Sequence, residues 1–175
     1  MAIRPIVKWG TAVLHVPSRV VPVVTDEIRL LLDDMHETMI AAPGIGLAAP
    51  QIGVALRVIV IDLSVGKEPS QLIELVNPEF VSREGEVKEE EGCLSVPGYD
   101  GSPVRPRFVR VKGLGRDGVE RVYEGEGLLA RAFCHEIDHI DGRLFVDRLT
   151  PLKRDLMVRK LRKRAKANDW DEREN

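Results

Sequence analysis

The 175-residue chain carries 26 basic and 28 acidic side chains for a formal net charge of −2, with 43% hydrophobic and 31% charged residues. That is the composition of one soluble domain with a substantial core, and it offers no global electrostatic case for nucleic-acid or membrane binding. Neither a membrane nor a specific DNA partner is expected. No run from Met1 to Val7 has signal-peptide length, and no stretch approaches the ~20 apolar residues of a bilayer span, so the cytoplasm is the expected compartment. Two cysteines, Cys93 and Cys134, are too few for a secreted disulfide framework.

Val7 to Pro22 reads as an irregular opening, punctuated by Gly10, Pro17 and Pro22. A helix is expected from Thr25 or Asp26, with Ile28, Leu31, Leu32, Met35 and Met39 as its apolar stripe. His36 beside that stripe, like His15, reads as structural or surface. Pro43 to Gln51 breaks the helix. Gly44, Gly46, Ala48 and Ala49 leave its backbone nearly bare, which suits close approach by a ligand or another chain; a plain tight turn is the alternative. Ala49 stands where a third dinucleotide-type glycine belongs. Leu56 to Leu63 is a mostly buried strand, and Leu72 to Val76 another, stopped by Asn77-Pro78. Val81 to Glu91 reads as a strand pair with an acidic, solvated outer face, Glu91 standing apart because it abuts Gly92-Cys93. Phe108 to Leu114 and Val119 to Glu124 alternate apolar and polar around Arg116-Asp117-Gly118 and predict a hairpin. Thr150-Pro151 opens a last helix rich in Lys and Arg from Lys153 to Lys166, which is either a solvated helix end or a docking face for an anionic surface such as RNA. Asp169 to Asn175 is expected to be a disordered tail. The fold class expected is α+β, with largely antiparallel sheets packed around a central helix between an N-terminal and a C-terminal helix. A single domain is expected to span 1–168, its basic helix covering about 151–167.

That central helix carries His135-Glu136-Ile137-Asp138-His139, approached by Leu128, Leu129, Ala132 and Phe133 at helical spacing and followed by Gly142 as a cap. Residues four apart sit about 40° apart around a helix and about 6 Å along it. Both imidazoles can therefore meet one metal ion, with Glu136 in reach of a water upon it. A catalytic site wants a third protein ligand. The extended protease pattern places a histidine at position 145, but Phe145 stands there, and the only later glutamates, Glu172 and Glu174, are in the tail. Cys134 points about 100° around the helix from His135 and is better read as a buried thiol. Cys93, on a separate extended segment, can approach from the sheet; a non-ligating role for it stays open on this reading.

Three stretches then carry a resemblance. Gly44-Ile45-Gly46-Leu47-Ala48-Ala49-Pro50-Gln51, Glu91-Gly92-Cys93-Leu94-Ser95 and His135-Glu136-Ile137-Asp138-His139 occur in the order and with the separations of peptide deformylase, and the likeness runs from Ile6 to about Lys166. The family removes the formyl group from nascent bacterial polypeptides. The resemblance implies that Cys93, His135 and His139 bind one divalent metal, Fe²⁺ in the cell, with Zn²⁺ or Ni²⁺ able to replace it. It implies that Glu136 is the acid/base residue and that Gln51 and the Leu94 backbone N–H stabilise the oxyanion. Gly46, Ile45, Glu91 and Gly92 would contact the substrate, an N-formyl-Met nascent peptide. The helical C-terminus resembles the bacterial type that meets the ribosome. Relatives often carry an arginine soon after the second motif, where this chain has Pro97-Gly98-Tyr99-Asp100, so Tyr99 is expected to substitute by packing. Arg131 stands where relatives often have an apolar residue and is expected to turn outward at the pocket rim. Arg105 and Asp138 are expected to pair behind the site. Two rivals remain: a metallopeptidase, which lacks its third His or Glu, and a structural metal site, which lacks a credible fourth ligand beyond Glu91.

Overall fold

The stripe Ile28, Leu31, Leu32, Met35 and Met39 is the buried face of α1 (Asp26–Ala41) in the computed structural model, which describes residues 2–171. Thr25 occupies the N-cap position, and Asp26 and Glu27 fill the first turn, where the helix dipole favours acids. The strands in chain order are β1 (Gly46–Ala48), β2 (Val58–Ile61), β3 (Ile73–Glu84), β4 (Val87–Lys88), β5 (Glu91–Gly92), β6 (Asp100–Gly101), β7 (Val104–Arg105), β8 (Phe108–Leu114) and β9 (Glu120–Glu126). Five of them form an antiparallel sheet in the order β1-β2-β3-β8-β9; β4 pairs with β7 and β5 with β6 in two small ribbons. Two further helices follow, α2 (Leu128–Ile140) and α3 (Pro151–Ala167). The fold is α+β, as the sequence leads one to expect.

The main sheet lies between α1 and α2. In β2, Val58 and Val60 join the cluster under α1, while Ile59 and Ile61 join Phe133, Ile137 and Ile140 under α2. All four β2 residues are buried. Burial on both faces explains why this stretch reads as a continuous apolar run rather than an alternation. A third cluster, Leu14, Val96, Leu144, Phe145, Val146 and Leu149, is closed by Leu161 of α3. Leu152 and Leu156 of α3 are exposed, and Met157 and Val158 pack beside Leu161. Among the described residues no helix is long and apolar enough to cross a membrane.

The expected stop at Asn77-Pro78 is not a stop. β3 runs through it, with the register against β8 shifting between Val76 and Glu79. Asn77 adopts φ 53 and its N–H donates to the Arg57 carbonyl at 2.7 Å. Its side chain accepts from the Val21 N–H at 2.9 Å and donates to the Val21 carbonyl at 2.8 Å. A bulge anchored this way absorbs the proline that an unbroken ladder would reject. At the other end, Trp170 packs on the third cluster and Arg164 donates to the Asp169 carbonyl at 2.7 Å. Residues 169–171 therefore belong to the folded body, and the remainder of the expected tail, 172–175, lies outside the described residues.

Replacing Asn77 by Ala should cost about 1–3 kcal/mol in urea unfolding, from two lost anchoring bonds and a left-handed backbone. Asn77→Gly relieves only the backbone part and should recover less than about 1 kcal/mol of it. Full recovery with glycine would show that the Val21 bonds contribute nothing.

Candidate metal centre

α2 is preceded by Gly127 at its N-cap position, whose φ 60 and ψ −125 let the chain turn sharply out of β9. It ends at Asp141, with Gly142 at φ 75 lying so close to the Val16 and Pro17 backbone that a Cβ would collide. Between these ends, His135 Nε2 and His139 Nε2 lie 3.3 Å apart. Cys93, just beyond β5, brings its Sγ to 3.3 Å from His139 Nε2. The three donor atoms all fall within 4.8 Å of one another, a spacing that a single ion can bridge. A thiolate and two imidazoles are a donor set for a borderline-soft divalent metal. The His139 Nδ1 and Glu136 Oε2 atoms are buried without a hydrogen-bond partner among the described residues. The residues fit a metal.

Behind these groups stands a buried ion network. Glu91 Oε2 lies 3.0 Å from His135 Nδ1, which leaves Nε2 to face Cys93 and His139. Arg105 donates to both Glu91 oxygens, at 2.7 and 2.9 Å, and to Asp138 Oδ2 at 2.6 Å. Arg148 completes Asp138 with a bond of 2.8 Å to Oδ1. The pairing of Arg105 with Asp138 is as expected. The Glu91 carboxylate is committed to Arg105 and His135, and the residue also lines the cleft in front of the centre. Burial alone would raise the Glu91 pKa, but Arg105 and His135 outweigh it and hold it at about 2. Phe145, the residue that replaces a third histidine, stacks on the His135 ring at 6.4 Å.

A cleft of about 560 Å³ opens onto this centre. Ile45, Gly46, Gln51, Gly92, Cys93, Leu94, His135 and Glu136 all line it. β1 is the edge of the main sheet, and Gly46 is bare for a reason the sequence does not state: a Cβ there would strike the Glu136 carboxylate. That carboxylate is 4% exposed, and burial pushes its pKa up to about 7. Gln51 sits in the short helical turn after β1; its Oε1 accepts from the Ala48 N–H at 2.9 Å and its Nε2 donates to Ser95 Oγ at 3.4 Å. Arg131 lines the cleft and pairs with Glu89 at 2.9 Å, with its Nε buried and without a hydrogen-bond partner among the described residues. Tyr99 lines the cleft with Arg164 over its ring at 5.6 Å. Cys134 is a buried filler, its thiol pushed up to about 11 by burial.

The opening segment, read as merely irregular, does more. Val7 N–H donates to the Gln51 carbonyl and Trp9 N–H to the Ser95 carbonyl, each at 2.8 Å, and Lys8 Nζ donates to the Leu94 carbonyl at 2.9 Å. It straps the two site segments together. Such pairing spans some 40 to 90 positions of sequence, and no local pattern announces it.

Residues 3–155 match the family described as Polypeptide deformylase. The chain belongs to the polypeptide deformylase family. It is 51% identical over 170 residues to the peptide deformylase of Acidobacterium capsulatum, covering 97% of this chain and all 100% of that one. With the enzyme of Thermodesulfovibrio yellowstonii the figure is 48% over 162 residues, or 93% and 98% of the two chains. The crystal structure of a peptide deformylase from Legionella pneumophila is similar with a TM-score of 0.88 and 46% identity, over 97% of this chain and 99% of that one. One from Ehrlichia chaffeensis in complex with actinonin has a TM-score of 0.84 and 38% identity, over 94% and 98%. Deformylase membership makes the chain an amidohydrolase of the N-formyl group on nascent polypeptides and removes the metallopeptidase and structural-site rivals.

Arg105→Met should destabilise by about 3–5 kcal/mol, because Glu91 and Asp138 would be left buried with less than their due counter-charge. In the same protein, metal retained after dialysis should fall about 10- to 100-fold in affinity terms. Urea unfolding and metal counting check both. Unchanged metal affinity in a destabilised variant would confine the network to stability alone.

Proposed function

We propose that Cys93, His135 and His139 hold one divalent ion and that Glu136 serves as the general acid/base for hydrolysis of N-formylmethionyl peptides. The observation that carries this reading is the convergence of one sulfur and two imidazole nitrogens beside a buried, unpartnered carboxylate oxygen at the floor of a cleft. The donor set suits Fe²⁺, Zn²⁺ or Ni²⁺, and the family resemblance favours Fe²⁺ in the cell. When bound, such an ion supplies Lewis acidity toward water and carbonyl oxygen, and a positive charge that favours ionised Glu136.

The rest is done by side chains and backbone. The formylated chain lies along the open edge of β1, where Gly46 offers bare backbone for strand-like pairing and Ile45 and Gly92 form the walls. Gln51 Nε2 and the Leu94 N–H aim at the formyl oxygen and hold the charge that develops on it. Glu136 takes a proton as the water oxygen bonds to the formyl carbon, then passes it to the amine nitrogen as the carbon–nitrogen bond breaks. Formate and a free N-terminus leave. Glu91 and Arg105 hold His135 in the tautomer that presents Nε2. The eight basic residues on α3 against one acid, Asp155, support that helix as a ribosome contact, with the cytoplasm as the compartment.

Glu136→Gln tests the proposal. The variant should fold, retain its ion, and release formate from an N-formyl-Met peptide at least about 10²- to 10⁴-fold more slowly than wild type. Release at the wild-type rate would remove Glu136 from the chemistry.

A further inference from the structure

Beyond the cleft, α3 and the Gly98-Tyr99 turn enclose a second cavity of about 470 Å³. Lys160, Lys163, Arg164 and Ala167 line it, at helical spacings that place them on one face of α3. Among the described residues Asp169 is the single acid in the lining, against three cations. Among the described residues neither lysine has an ion-pair partner. Among the described residues Arg164 is held in place by carbonyls and rings and not by a carboxylate. It donates to the carbonyls of Pro97 at 2.8 Å and Asp169 at 2.7 Å, and it lies over the rings of Tyr99 and Trp170 at 5.6 and 5.4 Å. Carbonyls and aromatic faces stabilise a guanidinium but leave its net charge intact.

Gly98 and Tyr99 line both cavities. The two cavities meet at this turn, and a chain extended from the centre over Tyr99 would lie above Lys160 and Lys163. We infer that this second cavity recognises an acidic side chain of the nascent polypeptide, several residues downstream of its formylmethionine. The inference rests on the family's action on nascent peptides and not on the metal or on Glu136. Its site is apart from the bases elsewhere on α3, such as Lys153, Arg159 and Arg162, which do not line the cavity. Continuity with the peptide cleft favours a carboxylate over an RNA phosphate as occupant.

An extended chain advances about 3.3 Å per residue, so a positional scan finds the register. The substrates are formyl-Met octapeptides on an alanine–serine background, with a single Glu or Lys placed in turn at the third to seventh positions. They are compared on wild type and on Lys160→Glu/Lys163→Glu, in which both altered side chains start exposed. At one or two positions Glu should lower KM about three- to tenfold relative to Lys, with kcat unchanged, from two weak ion pairs. The preference should vanish at about 0.5 M salt and reverse in the double variant. Fluorescence anisotropy of the deformylated octapeptides should show the same order without any turnover. A formyl-Met tripeptide, too short to reach, should be hydrolysed equally by both proteins; its turnover separates failure here from failure of the deformylase reading. A flat scan, or a Glu preference that survives in the double variant, would overturn the inference. So would a double variant that loses binding to an RNA oligonucleotide while the peptide preference stays as in wild type.

Discussion

Arg105 lies 4% exposed between the carboxylates of Glu91 and Asp138, and these belong to different parts of the fold. Glu91 sits on β5, two residues before Cys93; Asp138 sits on α2 between His135 and His139. One guanidinium thus joins the segment that carries the sulfur to the helix that carries the imidazoles. None of these charges is tolerable alone at such depth, since an unpaired buried ion costs several kcal/mol. Together they form a self-consistent set, completed by Arg148 from the turn after α2. The planar five-donor fork of arginine matters here, because a lysine cannot meet two carboxylates with this geometry.

The same constraint shapes the cleft. With α2 fixed against the underside of β1, Glu136 lies where a side chain at position 46 would otherwise be. The bare backbone of that edge leaves room for a carboxylate, and in the proposed mechanism its unpaired strand edge takes the peptide. The strap at residues 7–9 holds Gln51 and Ser95 from the opposite side. In the proposed mechanism, a frame of this kind keeps the hydrogen-bond donors of the cleft in place before the substrate arrives, as electrostatic stabilisation of a developing charge requires.

What was legible in the sequence was local. The α1 stripe, the hairpin around Asp117-Gly118, and the helix bearing His135, Glu136 and His139 all follow from periodicity and turn chemistry over a dozen residues or fewer. Three separate motifs in order were enough for the family. What was not legible depends on distant partners. Asn77-Pro78 reads as a stop because the Val21 bonds that convert it into a bulge come from 56 residues away. Nothing near Glu91 in the sequence announces that Arg105 and His135 claim its oxygens. Lys8 and Phe145 carry no motif; contact with Leu94 and with the His135 ring gives each its part. Trp170 looks like tail because its docking depends on Arg164 and the cluster under α3.

In the proposed mechanism, one ion held by Cys93, His135 and His139 makes this cleft hydrolytic. The most direct measurement withdraws metal stepwise with a chelator under anaerobic conditions, counting bound ion and formate release on the same folded sample, and then restores Fe²⁺ or Zn²⁺. Formate release should fall in proportion to bound metal, reach the background rate at zero, and return with one equivalent per chain. Undiminished release from a folded, metal-free protein would contradict the account.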